Sequence, residues 1–105
     1  MVTSSCTPSR GALLTGRYPG RNGLPHQLAA TENWHGIGLP HRERILPQLL
    51  RPAGYATGCF GKWHSGSYWP FHPNAKGFDE FLGFCAGHWN NYFDTTLDRN
   101  GREVK

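Results

Sequence analysis

The chain has no CxxC pair and no dense cysteine framework. It also has no internal repeat, no low-complexity tract, no long apolar run and no run of basic residues. Each absence closes a class. Cys6, Cys59 and Cys85 are an odd number, so at least one thiol stays outside any intramolecular pairing and nothing staples a small scaffold. No stretch approaches the length of a membrane-spanning helix, and the N-terminus lacks the charged and apolar regions of a signal peptide, so if the parent protein is secreted its signal is expected outside this sequence. The eleven Lys and Arg outnumber the seven Asp and Glu, giving +4, but they are scattered singly. That leaves a basic binding module as a bland possibility and argues against nucleic acid.

What is present points to a loop-rich chain with a thin core. At 105 residues there is room for one small domain with no internal boundary, against the usual size of about 100–150 residues. Only 37% of residues are hydrophobic, while Gly (14) and Pro (8) are abundant. The expectation is a piece of a larger body.

Residues 6 to 17 predict a helix, with Pro8 suited to the first turn, Ala12, Leu13 and Leu14 inside it and Gly16 to close it. Residues 18 to 43 carry turn dipeptides without a sustained period and predict a long loop of the kind that serves function or lies against a larger body. From Ile45 to Ala53, Leu46, Leu49 and Leu50 fall at helical spacing. Pro47 fits a helix start, Pro52 distorts its last turn, and Gly54 is a natural stop. Residues 55 to 66 predict a strand entering a loop, with Ala56, Gly58 and Phe60 on one face and Thr57 and Cys59 on the other. Helix, glycine and strand in that order make half of an α/β unit. The aromatic-rich remainder reads as irregular, with a turn at DRNG, residues 98 to 101.

The stretch CTPSRGALLTGR, residues 6 to 17, carries the chemistry. Pro8 near the first helical position places Cys6 just outside a helix N-terminus, where unpaired N–H groups and the helix dipole favour negative charge. Arg10 adds a permanent cation whose fork of donors matches sulfate or phosphate oxygens. Residue types alone leave Cys6 open as a nucleophile, a metal ligand, half of a disulfide or plain packing. In GKWHSG, residues 61 to 66, Lys62 and His64 are two apart, and in extended chain both side chains point the same way. Taken alone such a pair is ordinary surface.

CTPSRGALLTGR resembles the CxPSR signature and LTGR tail of the type I sulfatases of the alkaline phosphatase superfamily. GKWHSG resembles their GKWHLG block, with Ser65 where leucine is common. GFDEFLGF at residues 77 to 84 and YFDTTLDRNGRE at residues 92 to 103 resemble downstream segments, so the likeness covers nearly the whole chain. It implies an α/β fold, a partial alkaline-phosphatase-like sulfatase domain with a mixed sheet flanked by helices, incomplete in this chain. It implies hydrolysis of sulfate monoesters through a formylglycine made from Cys6, by way of a covalent sulfo-enzyme intermediate. Cys6, Arg10, Lys62 and His64 then take catalytic roles: Arg10 secures the modified residue, Lys62 bridges it and the sulfate, and His64 bonds its hydroxyl. Lys62 and His64 also bind substrate.

The cofactors that the resemblance implies are calcium, held in part by Cys6 as formylglycine, and the modification itself. Its partners are a formylglycine-generating enzyme and a sulfated small molecule or carbohydrate. The other calcium ligands, an adjacent aspartate pair before the signature and an Asp with Asn or His far downstream, do not occur here. The isolated chain is therefore expected to be inactive. The alternatives are a phosphonate or phosphate ester hydrolase of the same superfamily, or a non-catalytic remnant. The compartment stays open among secreted, periplasmic and lysosomal. Asp79 and Glu80 stand side by side but read as structural. His88, Trp89, Asn90 and Tyr92 form a candidate sugar or aryl pocket of low weight, and Cys59 and Cys85 read as small buried residues.

Overall fold

Proline and glycine punctuate the chain, and the elements fall between them. In the computed structural model, which describes residues 4–28, 37–87, 91 and 93–105, helix α1 runs Cys6–Thr15 and ends where Gly16 enters the left-handed region at φ 68°. Its cap N–H returns to Ala12 O at 2.9 Å. The helix is thus two residues shorter than the signature. A short helix α2, Pro19–Asn22, interrupts what the sequence presents as unbroken loop.

Helix α3, Leu46–Leu50, starts with Pro47 in its first turn and gives way to a 3-10 turn at Arg51–Ala53, where Pro52 removes a donor. Strand β1, Gly58–Lys62, follows. Its outer face carries Phe60, which is exposed, and its inner face turns Cys59 toward the core, as alternation requires.

The aromatic-rich segment is more regular than its sequence suggests. Strand β2, Glu80–Phe84, pairs parallel with β1 from Gly58↔Glu80 to Lys62↔Phe84. Strands β3, Leu97–Arg99, and β4, Arg102–Val104, add antiparallel, which makes a mixed sheet of order β1-β2-β3-β4. A turn is found at DRNG, as expected, and it is the two-residue loop of a β-hairpin that the sequence did not suggest, with Asn100 and Gly101 at φ 51° and 85°. Beneath the sheet lies a small core of Leu24, Leu28, Leu39, Ile45, Trp63, Phe81 and Cys85. Among the described residues no helix is long and apolar enough to cross a membrane.

The two parallel strands end side by side at Lys62 and Phe84, and the segments that follow them run together: Trp63 N donates to Phe84 O and His64 N to Cys85 O, both at 3.0 Å. This junction, set against the start of α1, positions the site.

Candidate active site

Helix α1 starts at Cys6 itself, because Ser5 is extended (φ −121°, ψ 154°) and the chain turns helical at the next residue. Cys6 is thus the first helical residue and not, as the motif suggests, one just outside. In that first turn the Thr7 N–H is taken by Gln27 Oε1 at 3.1 Å, Pro8 has none and the Ser9 N–H returns to Ser5 O at 3.3 Å. Lys62, the last residue of β1, donates from Nζ to Cys6 Sγ at 2.9 Å. Arg10, one turn along α1, donates from Nη1 to the Lys62 carbonyl at 2.8 Å. One arginine thereby ties the helix to the strand end that presents the lysine.

The charges act on the thiol in order of closeness. Hydrogen bonds from Lys62 and then from Gln27 hold the Cys6 thiol below its usual range; burial opposes them, and the charges of Lys62 and Arg10 add a smaller pull. The other two thiols move the opposite way. Burial raises Cys59 against a weak pull from Arg10, and burial, with Asp98 and Cys59 nearby, pushes Cys85 up to about 12. Of the three thiols only Cys6 is shifted toward its anionic form.

His64 reaches the site by a different route from the one its spacing suggests. The strand stops at Lys62, and His64 adopts the left-handed conformation at φ 59°, so extended alternation does not orient it. Its Nε2 lies 2.9 Å from the Leu28 carbonyl. A carbonyl only accepts, so Nε2 carries the proton and Nδ1 the lone pair; Nδ1 is buried without a partner. Burial first, and the nearby charges of Lys62 and Arg10, push this imidazole below its ordinary range, against the opposing bond to Leu28. The surroundings favour the neutral ring. Gly87 lies against the ring, where a Cβ would collide with Cε1 and Nε2.

Cys6, Lys62 and His64 line one cleft of about 350 Å³ together with Gln27, Leu28, Ala86 and Gly87. Arg10 does not line the cleft and meets Lys62 at its backbone carbonyl. The signature's second arginine, Arg17, is structural: its Nη1 donates to the buried Glu43 at 3.0 Å.

The sequence model of the Sulfatase family matches residues 1–102. The chain belongs to the sulfatase family. Arylsulfatase G of Canis lupus familiaris is 47% identical over 94 residues, which are 90% of this chain and 17% of that protein. Human N-acetylgalactosamine-6-sulfatase is 45% identical over 92 residues, covering 83% of this chain and 18% of the relative. The crystal structure of Ps i-CgsB in complex with k-i-k-neocarrahexaose superposes with a TM-score of 0.86 at 35% identity, over 95% of this chain and 26% of that one. The chain thus spans less than a fifth of the two named sulfatase relatives' length and about a quarter of the solved one, and its mixed α/β sheet is part of a sulfatase fold.

The remaining sequence candidates lie elsewhere. Asp79 accepts from Thr57 N and pairs with Arg51 at 2.9 Å, and Glu80 pairs with Arg99 at 3.2 Å, so both carboxylates are engaged structurally. His88, Trp89, Asn90 and Tyr92 fall outside the described residues. His72, Cys85 and Asp98 bring a nitrogen, a sulfur and a carboxylate oxygen within 4.8 Å of one another. Their bonding opposes a metal. His72 Nδ1 accepts from Asn74 N at 3.2 Å, so Nε2 holds the ring proton, which it donates to Asp98 at 2.8 Å. Burial, with Asp98 and Cys59 nearby, pushes the Cys85 thiol up to about 12. Gln27, Thr7 and Leu28 are the site neighbours that the motifs do not mark; only the fold brings the loop that carries Gln27 and Leu28 to the helix start.

Proposed function

We propose that this chain carries the nucleophile-bearing part of a site that hydrolyses sulfate monoesters. The observation behind it is the pairing of Lys62 Nζ with Cys6 Sγ at 2.9 Å, at the start of a helix that bears the CxPSR motif. Sulfatase membership supports conversion of Cys6 to formylglycine by a formylglycine-generating enzyme; its hydrate would supply a hydroxyl nucleophile toward sulfur. The Cys6 thiol stands where that hydroxyl would be.

The roles of the other residues follow from their bonds. Lys62 holds the residue-6 side chain and offers a positive charge to the incoming sulfate. Arg10 fixes Lys62 through its carbonyl and adds charge from behind. His64, neutral and with Nε2–H committed to Leu28, keeps its lone pair at Nδ1 as the proton acceptor for a hydroxyl. The positive end of the α1 dipole adds to the cationic character of the niche.

The niche does not by itself fit calcium. That ion takes about six to eight oxygen ligands, whereas among the described residues the cleft is lined by a lysine, a histidine, an amide, a leucine and small residues, with no carboxylate. Family membership supports a metal whose ligands would come from outside these residues. The substrate class we infer is a sulfated small molecule or carbohydrate, in keeping with the names of the relatives.

The niche is tested by protection. Sulfate should slow alkylation of Cys6 in the native chain and lose that effect in Lys62→Met. Equal labelling with and without sulfate would count against an anion site there, and stronger protection by phosphate would favour a phosphate or phosphonate ester.

A further inference from the structure

Among the described residues a single hydrogen bond holds the His64 ring. Its Nε2–H donates to the Leu28 carbonyl at 2.9 Å, and its buried Nδ1 has no partner there. The ring is almost wholly buried, with Gly87 against Cε1 and Nε2, so its orientation depends on where the Leu28 carbonyl stands. Leu28 lies in neither a helix nor a strand, and no ladder fixes it.

Thr7 supplies the fixation. Its Oγ1 accepts the Leu28 N–H at 3.2 Å, and its own N–H donates to Gln27 Oε1 at 3.1 Å. One residue of α1 thus grips two consecutive loop residues, the first through its backbone and the second through its side chain. Thr7 is fully buried, where a hydroxyl is expected to have a hydrogen-bond partner, and Leu28 is that partner. Leu28 is then clamped at both ends, its N–H by the neighbour of Cys6 and its carbonyl by His64. Two hydrogen bonds in series connect the start of α1 to the ring.

We propose that Thr7 is a positioning residue of this site, whose hydroxyl holds the Leu28 carbonyl, and through it the His64 ring, in a fixed place beside residue 6. Its functional weight rests on the reading of residue 6 as the nucleophile and His64 as the proton acceptor. The position needs a short side chain with an oxygen on the β-carbon, so serine serves and valine, of the same shape, does not.

Two uncharged variants isolate the hydroxyl. Thr7→Val keeps the shape of the side chain and removes the acceptor; Thr7→Ser keeps the acceptor. Heteronuclear NMR of the histidine rings in the 105-residue chain, at about pH 8 where an ordinary imidazole is neutral, reads which nitrogen of His64 carries its proton. The parent and Thr7→Ser should show one tautomer, protonated at Nε2. In Thr7→Val the ring should show both tautomers in exchange, and the Leu28 amide should exchange with solvent about tenfold faster or more.

A loss of stability alone, in a chain still folded, would leave the tautomer as it is, and rescue by serine separates the hydroxyl from the bulk of the side chain. A Thr7→Val chain whose His64 keeps the single Nε2 tautomer overturns the proposal. If that chain does not fold, the parent decides: His64 protonated at Nδ1, or a Leu28 amide slowed less than about tenfold against an unstructured peptide, overturns it equally. Ring and amide are read directly, so neither modification nor turnover is needed. A changed tautomer in Thr7→Val, in a chain whose Cys6 a formylglycine-generating enzyme leaves untouched, would keep the positioning role and refute the sulfatase reading alone.

Discussion

Lys62 Nζ lies 2.9 Å from Cys6 Sγ across a sequence separation of 56 residues. The contact joins the end of β1 to the mouth of α1, and the Arg10 bond to the Lys62 carbonyl, at 2.8 Å, keeps the two elements in register.

The three thiols should react unequally. At about pH 7.5, iodoacetamide should label Cys6 well ahead of Cys59 and Cys85, and Lys62→Met should slow Cys6 about tenfold. Peptide mass analysis over time measures all three. Equal rates, or an unchanged rate in Lys62→Met, would mean that the ammonium does not act on the sulfur.

His64 should make stability depend on pH. Its folded value is depressed by burial below the ordinary 6.5, so the unfolded chain binds the proton more tightly. Stability fully present above the unfolded value is then lost as pH falls from about 6.5 through the lowered folded value. Melting should drop on acidification below about pH 6.5, and His64→Gln should flatten that drop. An equal slope in both chains would contradict a buried neutral imidazole.

Gly87→Ala should destabilise the fold by about 1–3 kcal/mol, because the new methyl meets the His64 ring and the ring cannot retreat without losing Leu28. Urea unfolding measures this. An unchanged midpoint would show that the His64 side chain has room to move.

Local signals made part of this structure legible. Pro8 and Gly16 bound α1, Pro52 and Gly54 shape the end of α3, and the alternation that turns Cys59 inward and Phe60 outward can be read from β1 alone. Strand β2 was not legible. Phe81 is fully buried, but Leu82 and Phe84 on its other face are apolar too, so period-two contrast is blurred. Its parallel pairing with β1 is also non-local, beyond the reach of any short window.

In the site, Cys6 and Lys62 stand out by motif. His64 reaches the cleft through a left-handed turn that an extended-chain argument misses, and Gln27 carries no local mark. Arg10 looks like an anion ligand in sequence, yet one arm of its fork is spent on the Lys62 carbonyl.

The central claim is that residue 6 is the precursor of the nucleophile. Co-expression of the chain with a formylglycine-generating enzyme, followed by mass analysis of the tryptic peptide ending at Arg10, tests it most directly. The account predicts loss of the thiol and gain of an aldehyde that an aminooxy probe captures, absent in Cys6→Ala. An intact thiol under conditions that convert a control sulfatase would contradict it.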